Sequence, residues 1–199
     1  MKSMKKLFFT ICLVLHAFYM NAAAPKNIFV GEVVILDKLC KVWADINSDS
    51  SQILQYYVEP CFIRIPGKEE YRFVIPVTPT MIEEFNAISQ KYKEWSKVAI
   101  DNKAEVERDM DIETPIRKSL ERNYSKFEEY NVSIKPFFKY IIKKAPTLAF
   151  SVSAHDKYHP NYFYLIFSDP EQLDNFIAFL DPISVLNKIR TGNIGSLFK

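Results

Sequence analysis

The chain has 199 residues, a net charge of +2, four glycines and an aromatic content of 15%. A chain so rich in aromatic side chains is not a disordered linker, and four glycines are too few for a typical glycine-rich phosphate-binding loop. The length suits one well-buried domain.

The first 23 residues have the pattern of a secretory signal peptide. Three lysines precede a short apolar stretch at 7–19, and alanines follow at 22–24. The apolar stretch is shorter than the about 20 residues that a membrane-spanning helix needs. Cleavage after residue 23 is therefore predicted, which leaves residues 24–199 as a single secreted or periplasmic domain. An uncleaved membrane anchor is the alternative.

Loss of the signal peptide changes the charge of the chain. Lys2, Lys5 and Lys6 leave with it, so the mature protein has 23 basic and 24 acidic residues and a net charge of −1. A nucleic-acid-binding protein usually carries a clustered basic excess, so the charge balance argues against that class. The composition and the short signal peptide favour a bacterial source.

Two cysteines, Cys40 and Cys61, remain in the mature chain. In an oxidising compartment an isolated pair most simply forms a disulfide. Such a bond would stabilise the fold by roughly 3 kcal/mol on the chain-entropy model. Two buried thiols, or a nucleophilic cysteine, are the alternatives.

The segment that follows the signal peptide is typical of β-structure. Residues 28–44 read as two strands or one long bent strand, and Gly31 marks a bulge. Residues 45–51 have a turn composition. Residues 61–77 predict a hairpin, because alternating apolar residues flank a Pro-Gly turn.

A long helix is predicted over 79–105. Thr78 can cap it, and Pro79 occupies the first helical position, where a missing N–H costs nothing. Thr80 with Glu83 offers a second, overlapping capping box, and the helix end is left open between Asn102 and Asp109. Its apolar residues follow each other by steps of four and three, which places them in one stripe. We interpret this stripe as core; its members are Met81, Phe85, Ile88, Tyr92, Trp95 and Ala99.

The second half of the chain is predicted to contain more strands and two short helices. Residues 116–127 have no clean period. Strands are predicted at 130–134, 148–152 and 162–167, the last of them buried. Asp169 and Pro170 open a second helix, and Asp181 and Pro182 open a third that ends at Gly192.

Bases and aromatic residues are interleaved in the segment from Lys135 to Lys144. As a strand, the segment would be a sheet edge that lysines protect against wrong pairing. As a helix, it would be a basic amphipathic surface able to lie on an anionic membrane. The edge strand is favoured, and membrane contact is the less favoured alternative.

Residues 71–88 and 162–179 resemble each other. Each has an aromatic strand, a cap residue and a proline, and then an apolar helix face with phenylalanine six residues after the proline. The resemblance suggests an internal duplication. The alternative is that two strand-to-helix junctions use the same local chemistry.

Two segments bear a weak resemblance to metal sites. Acidic and polar residues alternate from Asp45 to Ser51 as in half of a calcium loop, but Ser50 and Tyr56 replace the required glycine and glutamate. His155 and His159 are four residues apart, but the flanking pattern indicates a loop, where this spacing does not align them. We therefore predict no metal and no cofactor.

Taken together, these patterns predict an α+β fold. One antiparallel sheet of about seven or eight strands would pack against one long central helix, with one or two short C-terminal helices. No catalytic motif is assembled in the sequence, so no residue is assigned a catalytic role. The prediction is a secreted, non-catalytic binding or interaction module whose partner is an unknown protein or envelope component. The alternatives are a secreted hydrolase with a dispersed acid/base site and a membrane-surface protein that uses Lys135–Lys144.

Overall fold

The computed structural model describes residues 25–60, 62–63, 71–123, 126–131, 134–154 and 161–192. In this part the fold is α+β, as predicted, with eleven strands and three helices. The strands are β1 Lys26–Ile35, β2 Lys38–Ile46, β3 Ile53–Val58, β4 Phe62–Ile63, β5 Tyr71–Pro76, β6 Val106–Asp109, β7 Lys118–Asn123, β8 Lys126–Asn131, β9 Phe137–Tyr140, β10 Thr147–Ala154 and β11 Asn161–Phe167. The helices are α1 Met81–Asn102, α2 Pro170–Phe179 and α3 Pro182–Arg190. The predicted signal peptide lies outside the described residues and stays a prediction.

The strands form two antiparallel sheets, so the prediction of a single sheet of seven or eight strands was wrong. Sheet A has the order β1-β2-β3-β5-β7-β8, and sheet B has the order β4-β11-β10-β9-β6. The predicted hairpin at 61–77 was also wrong, because β4 pairs with β11 in sheet B whereas β5 pairs with β3 and β7 in sheet A. Alternation shows which face of a strand is buried, but it does not show which strand is the neighbour.

The first two strands form a tight hairpin. The bulge predicted at Gly31 is confirmed, because the register shifts between Phe29 and Gly31 and Gly31 has a φ of 151°. The connecting residues Leu36 and Asp37 both have positive φ, 50° and 60°, as a two-residue turn requires to match the twist of the strands.

The long helix predicted at 79–105 is confirmed in position as α1, although both ends are shorter. It begins after Thr80, the second of the two predicted caps, although the Thr80 side chain makes no capping hydrogen bond. It ends at Asn102, one of the two predicted ends, and Lys103 then adopts the left-handed conformation, with a φ of 49°. The predicted stripe is buried, except that Trp95 is only half-buried. The helix packs on β9 of sheet B and on α2, rather than serving as the cover of one single sheet.

The two short helices begin as predicted. Asp169 caps α2 by accepting a hydrogen bond from Gln172 N at 2.9 Å, and Asp181 caps α3 by accepting one from Ser184 N at 3.0 Å. Proline occupies an opening position in both helices, and Gly192, with a φ of 67°, follows α3. The cap-and-proline pattern therefore predicted both starts correctly.

The segment Lys135–Lys144 forms β9 and a following turn, so the helical interpretation was wrong. The strand was correctly predicted, but it is not a sheet edge. It lies between β10 and β6, and Lys139 Nζ is 2.8 Å from Glu107 Oε2 on β6. Strand β6 was missed because its sequence, VERD, is short and charged and continues the polar end of the helix pattern.

One hydrophobic core contains inward-facing side chains from both sheets and from all three helices. Phe85 of α1 lies at its centre, edge-on to Phe150 of β10 and Phe176 of α2, with ring centroids 6.4 and 5.8 Å away. Sheet A contributes residues such as Val42, and β1 contacts both α2 and β11. Among the described residues, the two sheets therefore share one core. Within the described residues, no helix has the length and apolar character needed to cross a membrane.

Candidate functional site

Of the two cysteines in the predicted disulfide, one lies within the described residues. Cys40 lies in β2 with its side chain buried, and its Sγ is 3.9 Å from Lys38 O. Cys61 lies outside the described residues, and no disulfide occurs among those that are described. Pairing of Cys40 with Cys61 therefore stays a prediction.

The turn at 45–51 is held by its own hydrogen bonds. Asn47 Oδ1 accepts hydrogen bonds from the backbone N–H groups of Ser51 and Gln52, both at 2.9 Å, and Asp49 Oδ1 accepts from Ser51 N at 2.9 Å. The hydrogen bonds from Ser51 hold the pKa of the Asp49 carboxyl below its usual value. The Asp45 carboxylate instead accepts hydrogen bonds from Asn27 on β1 and from Gln55 on β3. The residues therefore make a polar turn, which was the favoured interpretation.

Metal-binding geometry is absent from the described residues. No group of three or more histidine, cysteine, aspartate or glutamate side chains there could hold an ion. His155 and His159 fall in 155–160, outside the described residues.

Ser89, Lys93 and Asp174 form a polar cluster between α1 and α2. Ser89 Oγ donates to Asp174 Oδ1 at 2.5 Å, and Lys93 Nζ lies 2.7 Å from Asp174 Oδ2. A serine nucleophile needs a base on its hydroxyl and access to substrate. Ser89 is 2% exposed, and it donates to a carboxylate that a lysine also neutralises. We interpret the cluster as a contact that fixes the two helices together.

Replacing Asp174 with asparagine is expected to lower the free energy of unfolding at neutral pH by about 0.5–1 kcal/mol, because the 43% exposed carboxylate is largely screened. Partial burial raises the pKa of Asp174, but the hydrogen bonds from Lys93 and Ser89 and the Lys93 charge outweigh it and lower the pKa. A lowered pKa gives stability that is present above the unfolded pKa and lost as pH falls through the folded one. Thermal melting from neutral to strongly acidic pH would check this: the difference between variant and parent should vanish in acid, and a constant difference would contradict it.

A cleft of about 430 Å³ lies beside residues 111–117, which connect β6 of sheet B to β7 of sheet A. Its apolar lining includes Ile116 and Ile134. Two ion pairs lie at its rim: Lys135 Nζ is 3.4 Å from Asp111, and Arg117 Nη2 is 3.7 Å from Glu113. Arg117 also lies 3.0 Å from Glu84 of α1. The charges at the rim are thus paired with each other, so they do not select a ligand of one charge.

A more distinctive feature lies on the outer face of sheet A. Phe29 on β1 is directly opposite Trp43 on β2, and Trp43 is directly opposite Tyr57 on β3. We call these three residues the aromatic row. Phe29 and Trp43 lie edge to face, with ring centroids 5.7 Å apart, and the Arg72 guanidinium carbon is 4.0 Å from the Trp43 centroid. Phe29 remains 37% exposed.

A second row of polar side chains runs beside the first and crosses the same three strands. Asn27, Asp45 and Gln55 are opposite one another in register, and we call them the polar row. Asp45 Oδ1 accepts from Asn27 Nδ2 at 2.8 Å, and Asp45 Oδ2 accepts from Gln55 Nε2 at 3.1 Å and from the Tyr57 hydroxyl. The two rows together form what we call the binding face.

The binding face was not recognised from the sequence. On an antiparallel sheet with one buried face, the outward positions are usually polar. Phe29, Trp43 and Tyr57 alternate with buried residues of their strands, so each is an apolar residue at an outward position. This was the available signal, but only the strand register brings the three rings into one row.

Asp45 is the one carboxylate in the two rows, whereas glycoside hydrolysis needs a pair of acids. Glu59 N donates to Lys41 O, so Glu59 lies beside Lys41, four residues along β2 from Asp45. Four residues of a strand span about 13 Å, whereas the paired acids of glycosidases are about 5–9.5 Å apart. Asp45 and Glu59 are therefore too far apart for that reaction.

Comparison with protein-family models, curated protein sequences and solved structures gives no match to this chain.

Proposed function

We propose that the chain is a secreted, non-catalytic binding module whose ligand contacts the binding face. The observation that carries the proposal is the aromatic row beside the polar row, because outward sheet positions ordinarily hold solvated polar residues. Aromatic side chains are enriched where proteins bind partners, since they offer a large rigid contact area and lose little conformational freedom. The strands hold both rows in register before any ligand binds, which lowers the entropic cost of association.

Two alternative functions have less support. A hydrolase would need a nucleophile with a base, or two acids at working distance; Asp45 and Glu59 are too far apart, and Ser89 is buried against Asp174. A membrane-surface protein would need Lys135–Lys144 as an amphipathic helix, which was the less favoured interpretation of that segment. That segment instead places Phe138 and Tyr140 in the core as strand residues, with Lys139 paired to Glu107.

Ligand screening by nitrogen–proton correlation spectra of the isotope-labelled mature protein would test the proposal. The library should contain peptides, oligosaccharides and small metabolites. We expect the shifted backbone amides to cluster on β1, β2 and β3 around the two rows. Shifts that cluster at the cleft around Ile116, or no reproducible shifts with any class, would overturn the assignment of the binding face.

Secretion is part of the proposal and has its own test. The chain would be expressed in full in a bacterium, and the product would be recovered from the periplasm and the medium. We expect N-terminal sequencing to begin at Ala24, consistent with removal of residues 1–23. An intact N-terminus in the cytoplasmic or membrane fraction would contradict secretion.

An internal duplication is part of the proposal. Three neighbouring strands of one sheet followed by a helix occur twice, as β2-β3-β5-α1 in sheet A and as β9-β10-β11-α2 in sheet B, although β4 lies between β3 and β5 in the chain. The strands that precede the two units in the chain differ. β1 lies in sheet A, together with the unit that follows it, whereas β7 and β8 lie in sheet A although the unit that follows them is in sheet B. Superposition of the two three-stranded units would test the idea; different helix positions over the matched strands would end it.

A further inference from the structure

We infer that the ligand of the binding face is a neutral oligosaccharide. This inference rests on the proposed function and names the ligand class for the same site. A sugar ring has hydroxyl groups at its edge, each both a donor and an acceptor, and C–H groups on its face. A protein surface suited to it therefore needs paired donors and acceptors beside an aromatic surface.

The polar row has spare hydrogen-bonding groups of both kinds. Each side-chain amide of Asn27 and Gln55 has two N–H donors and one carbonyl acceptor. Among the described residues, Gln55 Nε2 donates to Asp45 and to the Tyr57 hydroxyl, whereas Asn27 donates only to Asp45 and keeps one spare donor. Asn27 Oδ1 and Gln55 Oε1 accept no hydrogen bond there, so both are spare acceptors. Both amides are held by Asp45 Oδ1 and Oδ2 on opposite sides of the same carboxylate. They therefore stay oriented, and a diol can bind without first ordering them.

The aromatic row is placed to cover the apolar face of the same ring. Along β2, Trp43 and Asp45 are two residues apart on one face, a distance of about 6.6 Å. Phe29 and Asn27 have the same spacing on β1. A ring that bonds the polar row at its edge would therefore lie within reach of Phe29 and Trp43.

The charge of the binding face favours a neutral ligand. The one carboxylate in the two rows, Asp45, already accepts three hydrogen bonds from neutral groups. The described residues of the two rows include no cation, and the adjacent Arg72 is stacked on Trp43. The two rows themselves therefore offer no cation cluster for a nucleic acid or an anionic lipid surface, which bind through many phosphate contacts.

Isothermal titration of the mature protein with soluble β-linked gluco-, manno- and galacto-oligosaccharides tests the inference. We expect at least one of them to bind, and the doubly substituted Asn27→Ala/Gln55→Ala protein to bind it about tenfold more weakly, as the loss of one to two neutral hydrogen bonds predicts. The Phe29→Ala variant should weaken binding as well. Gln90→Ala on α1, the same chemical change on an exposed helix face, is the matched control and should bind like the parent.

The outcomes distinguish failure of the oligosaccharide inference from failure of the proposed function. If no oligosaccharide binds but a peptide or metabolite shifts the amides of the binding face, the inference is overturned and the proposed function stands. If oligosaccharides bind and the double variant and the control lose affinity equally, the site lies elsewhere and the inference is also overturned. Asn27 is exposed and Gln55 lies on the outer face, so we expect the variants to remain folded. Melting curves identical to the parent's would show this.

Discussion

Replacing Phe85 with alanine is expected to lower the free energy of unfolding by about 3–5 kcal/mol, the largest effect of any single change proposed for this protein. The side chain is fully buried, and its ring contacts β10 through Phe150 and α2 through Phe176. Alanine would remove those contacts and leave a cavity that the surrounding sheet and helices cannot fill without moving. Equilibrium denaturation by urea, monitored by circular dichroism, measures the change.

Two companion variants make the Phe85 result interpretable. Phe85→Leu keeps most of the volume and should cost clearly less than alanine, because volume-conserving changes usually cost below about 1.5 kcal/mol. Ala87→Ser on the exposed face of the same helix should change stability little. A small effect of Phe85→Ala, similar to that of Ala87→Ser, would mean that α1 does not anchor the core.

Replacing Tyr92 with phenylalanine is expected to lower the free energy of unfolding by about 1–2 kcal/mol. The Tyr92 hydroxyl on α1 lies 2.8 Å from Pro146 O and 3.1 Å from Phe167 O, so it links the helix to the ends of two strands of sheet B. Burial, and then the charge of Asp169, raise the pKa of Tyr92, which keeps it a neutral donor at physiological pH. Phenylalanine would leave buried carbonyl oxygens without that donor.

Tyr56 provides a matched control for Tyr92. It is also fully buried, but within the described structure its hydroxyl has no hydrogen-bond partner. Burial, and then the charge of Asp181, raise the pKa of Tyr56 as well. Since burying an unpaired hydroxyl costs about 1–3 kcal/mol, Tyr56→Phe should be neutral or stabilising. Equal destabilisation by the two changes would show that the hydrogen bonds of Tyr92 do not account for its effect.

The local elements were largely predictable from the residues. The caps at Asp169 and Asp181, the bulge at Gly31 and the buried stripe of α1 all depend on chemistry within a few residues of the chain. The sequence left the C-terminal end of α1 open between Asn102 and Asp109, because Lys103 adopts the left-handed conformation without the glycine that usually marks it. Strand β6 was missed for a related reason: it pairs with β9 through backbone groups, which its charged side chains do not reveal.

The sheet arrangement and the binding face depend on contacts between distant segments. Period-two alternation is the same for a strand in either sheet, so the sequence did not show that β4 leaves β3 to pair with β11. Phe29, Trp43 and Tyr57 are separated by 14 residues at each step and have no common motif. Their row exists because the registers of β1, β2 and β3 align them.

By itself, the sequence determined the α+β class, the position of the long helix and the starts of the two short ones, because hydrophobic periodicity and capping act locally. The tertiary structure alone decided the division into two sheets, the interior place of β9 and the alignment of the aromatic and polar rows. The physical reason is that backbone hydrogen bonds between strands are chemically the same for every residue. The choice of partner strand therefore comes from the packing of the whole core, in which Phe85 and its neighbours from both sheets and the helices are buried together.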